Sequence, residues 1–243
     1  MSELVWLNPH DTFFPPTTSA LEDPNGLLAV GGDLSPARLI AAYKKGIFPW
    51  FDDSQPILWW SPDPRMVLLP QNLHLGKTLK KLAKKQAFKI TIDTHFSDVM
   101  QGCAQPRADQ DGTWITTDME NAYLELHKLG YAHSIEAWQD GELVGGLYGI
   151  AINRVFYGES MFSKVSGASK IAFANLATQL ASWGFYAIDC QVATEYLASF
   201  GAAEMPRAEF EQILQQSLQS QPPKCQIEEW QNSWNMPDYG QLF

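Results

Sequence analysis

The chain has 243 residues, 45% of them hydrophobic, and a formal net charge of −10. That length suits one large domain, or a small lobe plus a larger domain, with an ample core. The three cysteines at 103, 190 and 225 form neither a disulfide framework nor a ligand pattern, and the five histidines at 10, 74, 95, 127 and 133 show no ligand spacing. No metal and no cofactor is expected. No apolar run approaches the roughly 20 residues that span a bilayer. The N-terminal MSELVWLNPH lacks the basic and apolar regions of a signal peptide, so a soluble cytoplasmic protein with no membrane partner is expected.

Residues 1–62 read as a loop-rich N-terminal lobe, followed by a larger domain over 63–243. Within the lobe, Gly31-Gly32-Asp33 gives a turn, Ser35-Pro36 a helix N-cap with Pro at the first helical position, and Gly46 a terminating glycine. A helix over 36–45 follows. Phe48, Pro49, Trp50 and Phe51 come next, then Trp59 and Trp60 before a Pro-Asp-Pro run. Prolines at both ends keep these rings out of one continuous strand. Trp59 and Trp60 read as lobe core, whereas Trp50, in a Gly- and Pro-bounded loop, reads as a platform for a flat ligand.

Charge is distributed unevenly. Residues 61–90 hold seven Lys/Arg against one Asp/Glu, the only positive field in an acidic chain. The string LHLGKTLKKLAKKQAFK reads as a helix over 75–86. At ~100° per residue, Lys77, Lys80, Lys81, Lys84 and Lys85 fall within an arc of about 140°, with Leu75, Leu79, Leu82 and Ala83 opposite. A solubilising face would more often alternate signs. The lysines therefore suit an RNA backbone, bound through phosphates without reading sequence.

From 131 to 163 the pattern is strand-like, with turns at Asp140-Gly141 and Asn153-Arg154. A helix over 169–183 ends at Gly184, FYAIDCQV (185–192) reads as a strand, and TEYLASFG (194–201) as a helix ending in Gly201. The Gln/Ser-rich 211–224 stretch suggests a mobile C-terminal region. By pattern alone the fold class is α/β in the broad α+β sense.

Several strings, GGDLSPARL, YKKGIFPWF and PILWWSPDPR in the lobe, then WIT at 114–116, HSIE at 133–136, GGLYG at 145–149, GESMFS at 158–163 and IDCQ at 188–191, resemble the bacterial leucyl/phenylalanyl-tRNA–protein transferases. The match runs from about residue 22 to 207. The resemblance implies an acyltransferase domain like that of the N-acetyltransferase superfamily. It further implies transfer of Leu or Phe, and less readily Met, from aminoacyl-tRNA to the N-terminal Arg or Lys of acceptor proteins, marking them for degradation. A monomer is expected.

The chemistry required is aminolysis of an activated ester, which needs alignment, removal of an amine proton and offset of charge on the carbonyl oxygen. The resemblance implies a catalytic role for Asp189 and Gln191, which strand alternation places together on one face, opposite Ile188 and Cys190. A neutral amide is a poor proton acceptor, so Gln191 is expected to position the reactants and Asp189 to stabilise the developing positive charge. Glu159 is the natural partner of a cationic acceptor N-terminus, with Asp189 as the second acidic group. The family-matched aminoacyl pocket comprises Leu147, Phe156, Met161, Phe173, Leu176, Leu180 and Ile188. Of these, Leu147, Leu176 and Leu180 stand where the family often carries Met or aromatics. For the tRNA's terminal adenosine the resemblance points to Trp50 and Trp114, with Tyr43 nearby. Two rivals stay open: an acetyl-coenzyme A transferase, for which KVSGAS at 164–169 is a near-miss pyrophosphate loop, and a non-catalytic RNA-binding module.

Overall fold

The computed structural model describes residues 4–105, 115–220 and 227–234. The lobe is built on a four-stranded sheet of short strands: β1 (Val5–Leu7), β2 (Leu27–Gly31), β3 (Phe48–Pro49) and β4 (Leu58–Trp60), in the order β1-β2-β4-β3. Helix α1 (Pro36–Tyr43) starts where expected, with the Ser35 hydroxyl accepting from the Arg38 N–H, and the chain leaves it through Gly46 at φ 72°. Trp59 is fully buried and donates its indole N–H to the Gly31 carbonyl at 2.8 Å. Trp60 is only half-buried, lies against Trp50 and donates to its carbonyl, so the two tryptophans expected as core divide between core and support.

The second sheet has seven strands in the order β11-β5-β10-β9-β8-β7-β6. These are β5 (Arg65–Leu68), β6 (Lys89–Ile92), β7 (Ala132–Gln139), β8 (Glu142–Ile152), β9 (Val155–Ser163), β10 (Ala187–Gln191) and β11 (Ala203–Met205). The turn between β7 and β8 places Asp140 and Gly141 at φ 53° and 84°, the left-handed pair that a two-residue hairpin requires. Among the described residues of this sheet, β9 and β10 alone pair in parallel, joined by helix α5 (Ala168–Ser182) as a crossover.

Two apolar clusters hold the sheet from its two sides. One includes Leu147, Phe156, Ile188 and the buried face of α5. The other includes Val67, Tyr148 and Tyr157 with α3 (Phe96–Ala104), α4 (Thr117–Lys128) and the lobe's Phe48 and Trp59. The lysine-rich helix α2 (Lys77–Lys84) buries Leu79 and Ala83 and packs on α5. There Gly167 is favoured by its left-handed backbone at φ 89°, and a Cβ would in addition push on the end of the Leu82 side chain. A short α6 (Glu195–Ala198) follows β10. The expected mobile stretch is corrected over most of its length: α7 (Arg207–Gln219) is a helix that buries Phe210 and Leu214, while 221–224 lies outside the described residues. Helix α8 (Ile227–Ser233) returns to the sheet, where Trp230 stacks on the buried His133 ring at 3.7 Å.

Candidate active site

Strands β9 and β10 pair only from Val155 to Tyr157 against Ala187 to Asp189, yet β9 runs on to Ser163. Beyond that pairing a cavity of about 620 Å³ opens between β8, β9, β10, α5 and α6, within the usual size of a small-ligand pocket. Five of the seven expected pocket side chains meet there: Leu147, Phe156, Met161, Phe173 and Ile188. The other two do not. Leu176 and Leu180 are fully buried in the core and absent from the cavity lining. The reason is length along the helix: Ser169 and Phe173 mark the cavity end of α5, and Leu180 lies about 10 Å further on at 1.5 Å per residue. Periodicity fixes the face of a helix, not how far along it a cavity reaches.

Strands β9 and β10 each carry a bulge where they border the cavity. In β9 the register shifts between Ser160 and Gly158, leaving Glu159 without a partner opposite the Tyr148–Gly149 step. In β10 it shifts between Asp189 and Gln191, and Gln191 adopts φ 63°. Bulges re-aim side chains. The simple alternation expected for 188–191 is therefore corrected: Ile188, Cys190 and Gln191 all line the cavity, whereas Asp189 does not. Gln191 donates from Nε2 to Glu159 Oε1 at 3.2 Å.

Glu159 is the centre of the polar end. Tyr43 Oη donates to Oε1 at 2.8 Å and Tyr123 Oη to Oε2 at 3.1 Å. Burial pushes the carboxyl up from the usual carboxylate range to about 7, against the pull of the two tyrosine hydroxyls. Burial, reinforced by the Glu159 charge, raises both tyrosines well above their ordinary value, so both stay protonated donors. Burial also pushes the Cys190 thiol up, which removes it as a nucleophile. Among the described residues, no three or more His, Cys, Asp or Glu side chains gather in a metal-ligand group.

Asp189 departs from its expected place. It is fully buried, and Arg65 grips it through Nε to Oδ1 at 2.8 Å and Nη2 to Oδ2 at 2.6 Å, while Oδ1 also accepts the Gln191 backbone N–H at 2.9 Å. Three of its roughly four lone-pair sites are taken, and the carboxylate does not line the cavity where an incoming amine would stand. The second unpaired negative charge expected for the acceptor is thus cancelled by Arg65, and Glu159 is the site carboxylate that faces the cavity.

Tyr43 is likewise corrected. It is fully buried, so its ring offers no face to a base, and its hydroxyl instead serves Glu159. Trp50 is 48% exposed and braced by Trp60 at a ring separation of 5.6 Å. Trp114 lies outside the described residues. Lys77, Lys81 and Lys84 are exposed on α2, Lys80 is half-buried there, and Lys85, also exposed, forms the helix C-cap. Sequence reasoning missed Tyr123 and Arg65. Arg65 ends the PDPR string and reads there only as part of the positive field; nothing local announces that a carboxylate 124 positions away neutralises it.

Comparison with known proteins gives the same result along most of the chain. The sequence profile described as "Leucyl/phenylalanyl-tRNA protein transferase" matches residues 67–215, and that of its "N-terminal domain" matches residues 32–63. A Saccharophagus degradans protein named leucyl/phenylalanyl-tRNA–protein transferase is 98% identical over 243 residues, the whole of both chains. Relatives of the same name from Teredinibacter turnerae (59% identical over 91% of this chain and 86% of theirs) and Nitrosospira multiformis (60% over 88% and 91%) also match. Among solved structures, a GCN5-related N-acetyltransferase from Kribbella flavida superposes over 70% of this chain and 61% of its own, with a TM-score of 0.38 and 11% identity. That likeness is too distant to carry any argument. The two family profiles and the three relatives named above describe neither an acetyl-coenzyme A enzyme nor a bare RNA-binding module. With matches of this extent over both the lobe and the sheet domain, the chain belongs to the leucyl/phenylalanyl-tRNA–protein transferase family of aminoacyltransferases.

Proposed function

We propose that the protein moves Leu or Phe, and less readily Met, from aminoacyl-tRNA to the N-terminal Arg or Lys of acceptor proteins, marking them for degradation in the cytoplasm. The observation that carries this reading is the cavity itself, which has apolar walls from Leu147, Phe156, Met161, Phe173 and Ile188 and, at the end where β9 and β10 bulge, Glu159 and Gln191. The walls take the aminoacyl side chain, and the flexible thioether of Met161 accommodates unlike guests. The ester carbonyl then lies beside Gln191, whose amide orients it.

Glu159 binds the acceptor's α-amine and receives its proton as the nitrogen attacks. A carboxyl near 7 and an α-amine of roughly 7.7–8.0 are close enough in proton affinity for transfer in either direction. The ribose oxygen leaves with the tRNA as a hydroxyl, taking up a proton equivalent to the one Glu159 received and so restoring the carboxylate, and the new peptide bond remains on the acceptor. Trp50 stacks on the terminal adenine, an interaction of ~1–3 kcal/mol, with Trp114 as the expected second ring. Lys77, Lys80, Lys81, Lys84 and Lys85 hold phosphates. The acting form is taken to be a monomer.

Incubation with labelled leucyl-tRNA and a peptide beginning with Arg should transfer label to that peptide and not to the same peptide beginning with Ala. Equal labelling of both, or of neither, would remove this acceptor assignment.

A further inference from the structure

Arg65 is the first residue of the second sheet, directly after the lobe, and it is fully buried. Its guanidinium lies between two rings, 4.8 Å from the centroid of Phe48 in lobe strand β3 and 5.1 Å from that of Phe210 in α7. Both are inside the range of cation–π attraction. Fixed there, it presents a two-point fork to Asp189, at 2.8 and 2.6 Å. Asp189 in turn accepts the N–H of Gln191 at 2.9 Å, at the bulge where Gln191 holds φ 63°. A non-glycine residue stays in that left-handed region only when its surroundings over-determine it. The Asp189 carboxylate supplies such a constraint, and Arg65 holds the carboxylate still.

We infer that Arg65 is a positioning residue for the transfer reaction: through Asp189 it locks the Gln191 backbone so that the Gln191 amide meets Glu159 at the cavity's polar end. This rests on the active-site reading above and adds that the lobe, through Phe48, and the C-terminal helix α7, through Phe210, both bear on the reacting centre. The planar, rigid fork is what the position needs; an ammonium bonds to one oxygen at a time and cannot lie flat between two rings.

The test compares wild-type enzyme with R65M, R65K and the pair R65M/D189N in steady-state transfer from leucyl-tRNA to an Arg-peptide. Wild-type transfer is the control on the underlying reading, so failure there is separate from failure of the inference. R65M leaves a buried carboxylate unpaired and is expected to lower kcat about a hundredfold, with KM for leucyl-tRNA within about threefold. The neutral pair removes both charges but keeps an amide oxygen at position 189 for the Gln191 N–H. It should recover at least tenfold over R65M. A pair as slow as R65M would overturn the inference, because it would mean that the Asp189 charge acts on the substrate directly. If R65M fails to fold, as judged by its circular dichroism and melting curve, R65K decides: a tenfold or greater loss of kcat with KM unchanged supports the positioning role, and wild-type kcat ends it.

Discussion

Burial of Glu159 holds its carboxyl near 7, and the sign of the resulting pH dependence can be worked out. Below that value the group is protonated and cannot receive the amine proton; above it the carboxylate forms and the transfer rate should climb. Glu159→Gln should remove the part of this rise centred near 7, leaving the climb that the acceptor α-amine itself gives at roughly 7.7–8.0, and lower the rate roughly 10²–10⁴-fold. Rate–pH profiles of the two proteins between about pH 6 and 8, the window around these proton affinities, check both claims, and a Gln variant that keeps the wild-type profile would clear Glu159 of the role. Residue-scale reasoning also separates wall from core. Phe173→Ala should change the ratio of Leu to Phe transferred, by an amount on the scale of ~1–3 kcal/mol typical of shape discrimination in apolar pockets. Leu180→Ala should leave the ratio alone and cost about 2–5 kcal/mol of stability, as buried Leu truncations do. Competition between leucyl- and phenylalanyl-tRNA, together with chemical denaturation, distinguishes the two. The sequence could not have done so, since residues 173 and 180 obey the same helical spacing and differ only in whether the cavity reaches them.

Among elements, α2 is where sequence and structure agree most closely, because both its faces are written in the local pattern: Leu79 and Ala83 inward, lysines outward. Reversing Lys77 and Lys81 to Glu, both exposed, should weaken tRNA binding alike for all tRNA bodies. It should also flatten the salt dependence by roughly one counterion for each phosphate left without its lysine. An unchanged slope of log affinity against log salt would reduce α2 to a solvated face. Strand β10 teaches the opposite lesson. Its existence is visible in FYAIDCQV, yet its bulge is not, and the bulge decides that Gln191 enters the cavity while Asp189 turns to Arg65. A bulge depends on which strand lies alongside and in what register, a pairing between residues far apart in the chain.

The whole molecule is acidic, so the lysine helix supplies a local positive field that opposes the net charge of −10. Closure of the fold from the C-terminal side rests on Trp230, buried at 1% exposure and packed on His133, Trp183 and Phe185. Trp230→Ala should therefore cost about 3–5 kcal/mol, as large aromatic truncations in cores do. A melting temperature equal to wild type would show that α8 contributes little. By itself the sequence determined the hairpin of β7 and β8, helices α1, α2 and α5 and the family, because each is encoded by periodicity, caps, left-handed turn residues or an ungapped motif; the seven pocket positions came from the family resemblance, and five of them line the cavity. Only the tertiary structure decided that Tyr43 and Tyr123 converge on Glu159, that Arg65 cancels Asp189, and that Leu176 and Leu180 are core. The physical reason is that burial and charge pairing are properties of distant segments brought together. Local pattern specifies which face a side chain occupies, but not what comes to meet it there.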